Sequence, residues 1–291
     1  MAGWCGVTKL TFDPALAGIA PQMRANILLF PLERPTMTRI TGHSLIATPC
    51  CHTLYSTPRY GSINLSASAY WTDGHSDGGL MPGGGGLRRC KCGKFYLLSD
   101  TISFGLDAPP DTPSTEHVKA ADLPEATRSP NKAVELVARR LYWMHLNDAF
   151  RDLYRAHREA EDKASQAKWA VEWQAANPDT RTAWTKLISR LLRREPIAPP
   201  MQNKPFTLPP YQPSQLQIEN MSRLMELLLE GGNESYGPDP LEVTELYREL
   251  GRFDEAQTAL QACTEDDIGV TSKLLARMID DRTTAPVRYR M

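Results

Sequence analysis

Four of the six cysteines in this 291-residue chain lie in two short groups, Cys50-Cys51 and Cys90-Lys91-Cys92. No apolar run reaches the roughly 20 residues that cross a bilayer, and residues 1–20 lack the basic and apolar regions of a secretory signal. We therefore expect a cytosolic protein, in which cysteines stay reduced and grouped thiols are more typical of metal binding than of disulfides. For the two groups to share a metal, the chain between them has to fold back on itself.

The charge of the chain is balanced overall but uneven along its length. There are 33 basic and 34 acidic residues, and 41% of all residues are hydrophobic. This composition argues against a protein that coats nucleic acid, and against disorder of the whole chain. Basic residues dominate 128–195 and acidic residues dominate 214–282. Prolines concentrate between the segments and predict extended linkers at 108–128 and 196–213.

The segments between these linkers differ in their predicted secondary structure. Residues 37–107 contain short β-branched and aromatic runs separated by turn residues, which predicts small β structure. Residues 129–195 and 214–291 have helical periodicity. Residues 1–36 have no clear period and are set apart as an irregular N-terminal segment. The predicted fold class is α+β, with a small β-rich head followed by a mainly α-helical body.

Large apolar residues in the basic domain predict a buried helical face. Asn177-Pro178 is expected to begin a helix with five apolar residues on its buried side: Trp184, Leu187, Ile188, Leu191 and Leu192. The tryptophans of this domain are expected to pack in the core: Trp143, Trp169, Trp173 and Trp184. Exposed tryptophan anchors of a protein interface are the alternative.

The second cysteine group has the form of a metal-binding turn. In Leu87–Tyr96 the pattern Cys-x-Cys-Gly precedes an aromatic strand, and Gly93 can take the positive φ of such a turn. Pro49-Cys50-Cys51-His52 supplies the other half. Together they resemble a zinc ribbon, in which two cysteine-bearing turns on β hairpins hold one metal. The resemblance implies a zinc-ribbon-like domain over residues 37–107.

The ligand set departs from the ribbon pattern in one turn. Thr48 stands where the family has its first cysteine, and adjacent cysteines do not easily bind one ion together. The best candidate ligands are therefore Cys51, Cys90 and Cys92, with either Cys50 or His52 as the fourth. A cysteine-rich set closes the metal shell, which indicates a structural and not a catalytic zinc. A ribbon that has lost its metal is the alternative.

A helical hairpin near the C-terminus resembles the middle of one tetratricopeptide repeat. The matching positions are Tyr247, Gly251, Phe253, Ala256 and Leu260. Gly251 permits a tight turn and Ala256 permits close helix packing. No second copy with a matching period is present, and a peptide-binding superhelix requires several stacked repeats. The resemblance therefore implies the hairpin without its ligand groove.

The sequence lacks the common enzyme signatures, including the phosphate-binding loop, the dinucleotide fingerprint and the nucleophile elbow. We assign no catalytic residue and expect a non-enzymatic protein that binds another protein, as an adaptor or an inhibitor, with no membrane partner. The alternative is nucleic-acid binding by a basic, aromatic face of the head. Its candidate residues are Arg88, Arg89, Lys91, Lys94, Phe95 and Tyr96.

Overall fold

The computed structural model describes residues 38–62, 67–78, 86–192, 207–230, 239–263 and 269–290. The strands in these ranges are β1 Arg39–Ala47, β2 Leu54–Ser62, β3 Ala69–Trp71, β4 Ser76–Asp77, β5 Leu87–Arg89, β6 Phe95–Leu97, β7 Ile102–Asp107, β8 Glu116–His117 and β9 Arg288–Tyr289. The helices are α1 Leu123–Ala126, α2 Lys132–Leu146, α3 Asp148–Ala176, α4 Ala183–Leu191, α5 Gln215–Glu230, α6 Pro240–Glu249, α7 Phe253–Gln261 and α8 Val270–Asp280. This order confirms the predicted α+β class.

The strands form three small antiparallel sheets with the orders β2-β1-β7, β4-β3-β9 and β6-β5-β8. The first two strands make a long hairpin whose register runs from Arg39 opposite Ser62 to Ala47 opposite Leu54. The third sheet holds the second cysteine turn between β5 and β6. In the second sheet, β9 pairs with β3, although most of the sequence lies between these two strands.

The helical body packs around α2, α5 and α6. Its buried core consists of Trp143, Met221, Leu224, Met225, Leu228, Val243 and Leu246. α5 and α6 contribute most of these side chains, with the spacing expected for amphipathic helices, and α2 contributes Trp143. Trp143 therefore has the predicted core position, whereas Trp169 and Trp173, which were predicted to be in the core as well, are only half-buried.

A second core joins the head to the body. It consists of Leu87, Leu97, Leu123, Ala126, Val134 and Ala138. Part of it comes from 108–128, which the prolines predicted to be a linker: this segment carries β8 and α1, and α1 packs against α2. Pro124 lies in the first turn of α1, where a missing N–H leaves no hydrogen bond unmade.

The described residues include no helix with the length and apolar content of a bilayer-spanning segment. The longest helix, α3, is strongly charged beyond its first turns.

The predicted buried face of α4 is exposed, so this prediction was wrong. Trp184 is 74% exposed and Leu191 is 75% exposed, and no residue of α4 is buried. The helix begins later than predicted, after the N-cap Thr182, whose hydroxyl accepts the Thr185 N–H at 3.4 Å. The amphipathic pattern is real, but no other described element covers its apolar side.

A cluster of fully buried charged side chains connects α3 and α6 with the turn after β3. Arg151 pairs with Asp73, and both side chains are inaccessible to solvent. Arg248 donates to Glu245 at 2.5 and 2.7 Å, again with both side chains inaccessible. Glu249 lies beside them and is also buried. Three carboxyl groups thus face two guanidinium groups.

Neutral polar groups complete this charged cluster. Trp143 Nε1 donates to Glu249 Oε2 at 3.0 Å, and Asn147 Nδ2 donates to Asp73 Oδ2 at 3.0 Å. The Tyr211 hydroxyl, from the second predicted linker, donates to Asn147 Oδ1 at 3.1 Å. Burial raises the pKa of Glu249 well above its usual range, and the nearby carboxylates add to this effect. Burial raises the pKa of Asp73 as well, against the opposing effect of the Arg151 guanidinium.

Gly251 forms the turn between α6 and α7 with a φ of +74°. We expect Gly251→Ala to lower the free energy of unfolding by about 1 kcal/mol, because a residue with a Cβ strains in the left-handed region. The added Cβ would meet only the Thr284 methyl group, at 4.0 Å, so the loss comes from backbone conformation and not from a clash. Urea denaturation measures it.

Gly269→Ala is the matched control. Gly269 precedes α8 with an extended backbone, φ −126°, and its Cβ position has nothing within 4 Å. Its replacement is expected to cost about half a kcal/mol, because Ala is a poorer N-cap than Gly but the extended backbone adds no strain. Equal losses in the two variants would contradict the assignment of strain to Gly251.

Candidate metal centre

The first cysteine turn closes the hairpin between β1 and β2. The Thr48 N–H donates to the Thr53 carbonyl, and the His52 N–H donates to the Thr48 carbonyl, both at 3.0 Å. His52 takes a left-handed conformation with φ 54°. These bonds reverse the chain and hold Cys50 and Cys51 at the tip of the hairpin.

The second cysteine turn joins β5 to β6. The Cys90 N–H donates to the Lys94 carbonyl at 2.8 Å, and the Gly93 N–H donates to the Cys90 carbonyl at 2.9 Å. Gly93 has a φ of +85°, as its sequence position predicted. The turn directs Cys90 inward and leaves Cys92 at the surface.

The two turns bring four thiols together. The Sγ atoms of Cys51 and Cys90 lie 3.4 Å apart although 39 residues separate them. Those of Cys50 and Cys92 lie 3.5 Å apart, and those of Cys50 and Cys51 lie 3.8 Å apart. All four sulfurs lie within 4.8 Å of one another, and all four cysteines are free thiols. The arrangement can hold one metal ion.

These distances fit a tetrahedral thiolate site. Four sulfurs at about 2.3 Å from a central Zn²⁺ lie roughly 3.8 Å from each other. The closest observed pairs, at 3.4 and 3.5 Å, are slightly shorter than this, and no pair is farther apart than 4.8 Å. Adjacent Cys50 and Cys51 both take part in the group, and His52 does not. The sequence left Cys50 and His52 as alternatives for the fourth metal ligand.

Two threonines and a tyrosine support the centre, and sequence reasoning missed all three roles. Thr53 Oγ1 lies 3.1 Å from the Sγ of Cys51, and Thr48 Oγ1 lies 3.6 Å from it. The hydroxyl of Tyr55 accepts the Lys91 N–H at 3.0 Å and so ties one turn to the other. Thr48 is completely buried. It is a hydroxyl neighbour of the thiols, at the position where a ribbon has its first cysteine.

The thiols differ in acidity. Hydrogen bonds from the hydroxyls of Thr53 and Thr48 lower the pKa of Cys51 to about 5. Burial, together with the neighbouring Cys92 thiol, raises the pKa of Cys50 to about 12. Burial opposes ionisation of Cys90 as well, but the backbone N–H of Cys92 and other hydrogen bonds lower its pKa. A bound metal ion would favour the thiolate at every position.

The residues proposed for nucleic-acid binding do not form one accessible face. Arg88 is 5% exposed and Tyr96 is 1% exposed. Arg89 pairs with Asp122 at 2.6 Å and with Glu125 at 3.3 Å, and its guanidinium lies over the Phe95 ring. The two remaining basic candidates, Lys91 and Lys94, are exposed. Buried or ion-paired groups are poorly placed to contact a phosphate backbone.

Comparison with known proteins adds no further support to the geometry described above. The resemblances to a zinc ribbon and to a tetratricopeptide hairpin rest on the positions named above. No protein-family model, no curated protein and no solved structure matches this chain.

Proposed function

We propose that this chain is a non-enzymatic protein-interaction protein, in which a structural Zn²⁺ held by Cys50, Cys51, Cys90 and Cys92 organises the head. The head binds an extended segment of another protein along β7. The open edge of β7 is the feature on which this function depends.

Zinc is the ion that best suits this set of ligands. Thiolates in a tetrahedral arrangement favour Zn²⁺, and four protein ligands leave no position open for water or substrate. The metal therefore has a structural role. It joins two turns that are distant in sequence and fixes the sheet that contains β7, whose partner β1 ends just before the first turn.

β7 offers unused backbone groups and apolar side chains. It pairs with β1 on one side, and no described strand pairs with its other side. All six of its residues are exposed. Ile102, Phe104 and Leu106 alternate along it at 50, 47 and 62% exposure. An open edge with apolar side chains is a template for an added strand.

The opposite edge of the same sheet is covered near the start of β2. The Ser56 N–H in β2 donates to the Pro113 carbonyl at 2.8 Å, and the Thr115 N–H donates to the Ser56 carbonyl at 3.1 Å. These bonds occupy the backbone groups that a partner strand would use. Within the described part of the chain, the outer edge of β2 is thus partly occupied, whereas no strand pairs with the outer edge of β7.

Phe104→Lys is expected to abolish binding of the partner protein, because a lysine on an edge strand opposes strand addition. The tagged full-length chain is purified from the cells that make it, crosslinked and analysed by mass spectrometry. We expect one partner to be retained and crosslinked near β7, with a loss of at least about tenfold in the variant, given the contribution of a buried aromatic anchor.

Leu54→Lys is the control for this experiment. Leu54 is 46% exposed in the same sheet, but on β2. The control is expected to retain the partner and the zinc. Loss of the partner in both variants, or in neither, would contradict a binding edge at β7. Zinc content measured on the same samples shows whether the head stays intact.

A further inference from the structure

The helix α3 carries α4 away from the packed body. The last buried residue of α3 is Tyr154, and none of the residues from Arg155 to Ala176 is buried. At 1.5 Å per residue this part of the helix is roughly 30 Å long. Its charged side chains pair with one another on the helix surface, as Glu159 with Lys163 at 2.6 Å and Lys168 with Glu172 at 3.8 Å. Much of the surface of this helix is therefore exposed to solvent, and the rest is only partly covered.

α4 presents a continuous apolar stripe at the end of this arm. The stripe consists of Trp184, Leu187, Ile188, Leu191 and Leu192, which are between 48 and 75% exposed. Their spacing of three and four residues places them on one side of the helix. No described residue covers the stripe, although five large apolar side chains are enough to anchor a helix in an apolar phase.

The polar side of α4 is basic. Lys186 and Arg190 are one turn apart on the side away from the stripe, and α4 itself contains no acidic residue. Between Asp179 and Glu195 the sequence has five basic residues and no acidic one. Asp179 pairs with Arg181 at 2.8 Å and lies 3.7 Å from Lys186. The region as a whole keeps an excess of positive charge.

We propose that α4 binds the surface of an anionic lipid bilayer, with its apolar stripe among the acyl chains and Lys186 and Arg190 directed to acidic headgroups. A short helix with a tryptophan- and leucine-rich face, a basic face and little overall hydrophobicity has the pattern of interfacial helices. The bilayer supplies an apolar layer and negative charge side by side, which matches both sides of α4.

Other occupants match α4 less completely. A second copy of α4 would cover the stripe but would leave the basic side without a counter-charge, and a nucleic acid offers no apolar layer for the stripe. The absence of a spanning segment led to the expectation of no membrane partner, but an interfacial helix does not need to span. This inference is independent of the function proposed for β7.

Vesicle binding tests the inference on the full-length chain. We expect it to sediment with vesicles of phosphatidylcholine containing about one third phosphatidylserine, and not with pure phosphatidylcholine. Replacing Lys186 and Arg190 together by Gln is expected to lower the partition coefficient about thirtyfold, since each basic residue contributes about fivefold. Leu191→Asp is expected to abolish binding. Quenching of Trp184 by brominated lipid should disappear in Trp184→Phe while sedimentation persists.

Matched variants elsewhere separate these effects from nonspecific ones. Lys119→Gln with Arg277→Gln removes the same charge from side chains that are 75 and 81% exposed. Leu216→Asp places an acid on a leucine of α5 that is 48% exposed. Both controls should bind like the unchanged chain. Circular dichroism verifies that every variant remains folded.

Three outcomes would overturn the inference. The first is an absence of binding to anionic vesicles. The second is equal binding to both kinds of vesicle, and the third is binding that the α4 variants leave unchanged. Self-association that depends on α4 without any vesicle binding would identify a second copy as the occupant. Capture of an acidic protein through α4, without vesicle binding, would likewise replace the bilayer by a protein groove.

Discussion

Cys90→Ser is expected to release the metal and to disrupt the head. Cys90 is the most buried of the four thiols and lies in a core with Ile46, Tyr55 and Tyr96. A structural zinc site contributes roughly 10–16 kcal/mol of apparent binding free energy, so one of four ligands accounts for about 3 kcal/mol. That is a large part of the total stability of an ordinary domain. We expect the zinc content to fall from one ion per chain to near zero.

Amide hydrogen exchange shows which strands lose their protection in Cys90→Ser. Protection should be lost first in β5 and β6, and then in the β1–β2 hairpin, because the metal is the direct connection between their turns. X-ray absorption on the unchanged chain should give four sulfur ligands at about 2.3 Å. Chelation of the metal should reproduce the exchange pattern of the variant.

Cys263→Ser is the control for the metal site. Cys263 is a half-buried thiol just after α7 and is not one of the four clustered cysteines. Its replacement should leave zinc content and exchange in the head unchanged. If Cys90→Ser retained zinc as well as Cys263→Ser does, the four-thiol site would be wrong.

The second large effect is expected at the buried charged cluster. Arg151→Met removes the guanidinium that pairs with Asp73 and leaves a carboxylate without solvent or counter-charge. Breaking one side of a buried pair destabilises a protein by about 3–5 kcal/mol. Urea denaturation followed by tryptophan fluorescence should detect this loss, because Trp143 donates a hydrogen bond to Glu249 in the same cluster.

A surface arginine on the same helix provides the comparison. Arg158 pairs with Asp162 at 3.2 Å, and both side chains are more than one third exposed. Arg158→Met should lower the free energy of unfolding by less than about 1 kcal/mol. Replacing Asp73 by Asn in Arg151→Met should restore part of the stability, because the uncompensated charge is then absent. Similar losses for Arg151→Met and Arg158→Met would show that the cluster is not essential.

The sequence predicted the parts of this structure that depend on local patterns. The two cysteine groups and Gly93 indicated where the thiols would meet. Asp239-Pro240 indicated the start of α6, and the Asp239 side chain accepts the Leu241 N–H at 2.9 Å as a helix cap does. These features need only neighbouring residues, which is why spacing and residue type are sufficient to identify them.

Features that depend on distant partners were not predictable. The pattern of α4 identified an apolar face correctly but could not show whether another element would cover it. Glu245, Arg248 and Glu249 belong to the hairpin that resembles a tetratricopeptide repeat, where charged residues suggest an exposed face. They are buried because Asp73 and Arg151, which are distant from α6 in sequence, lie in the same cluster in the folded chain. No pattern within α6 contains that information.

The pairing of β9 with β3 has a consequence for folding during synthesis. Arg288 Nε donates to Asp77 Oδ2 at 2.7 Å across a sequence separation of 211 residues, and the Val287 N–H donates to the hydroxyl of Thr72. The ribosome must therefore translate nearly the entire helical body before the small sheet at β3 can close. Contacts of such long range form slowly. Until β9 has been synthesised, the edge of β3 that pairs with it stays open and is a site for chaperones to protect.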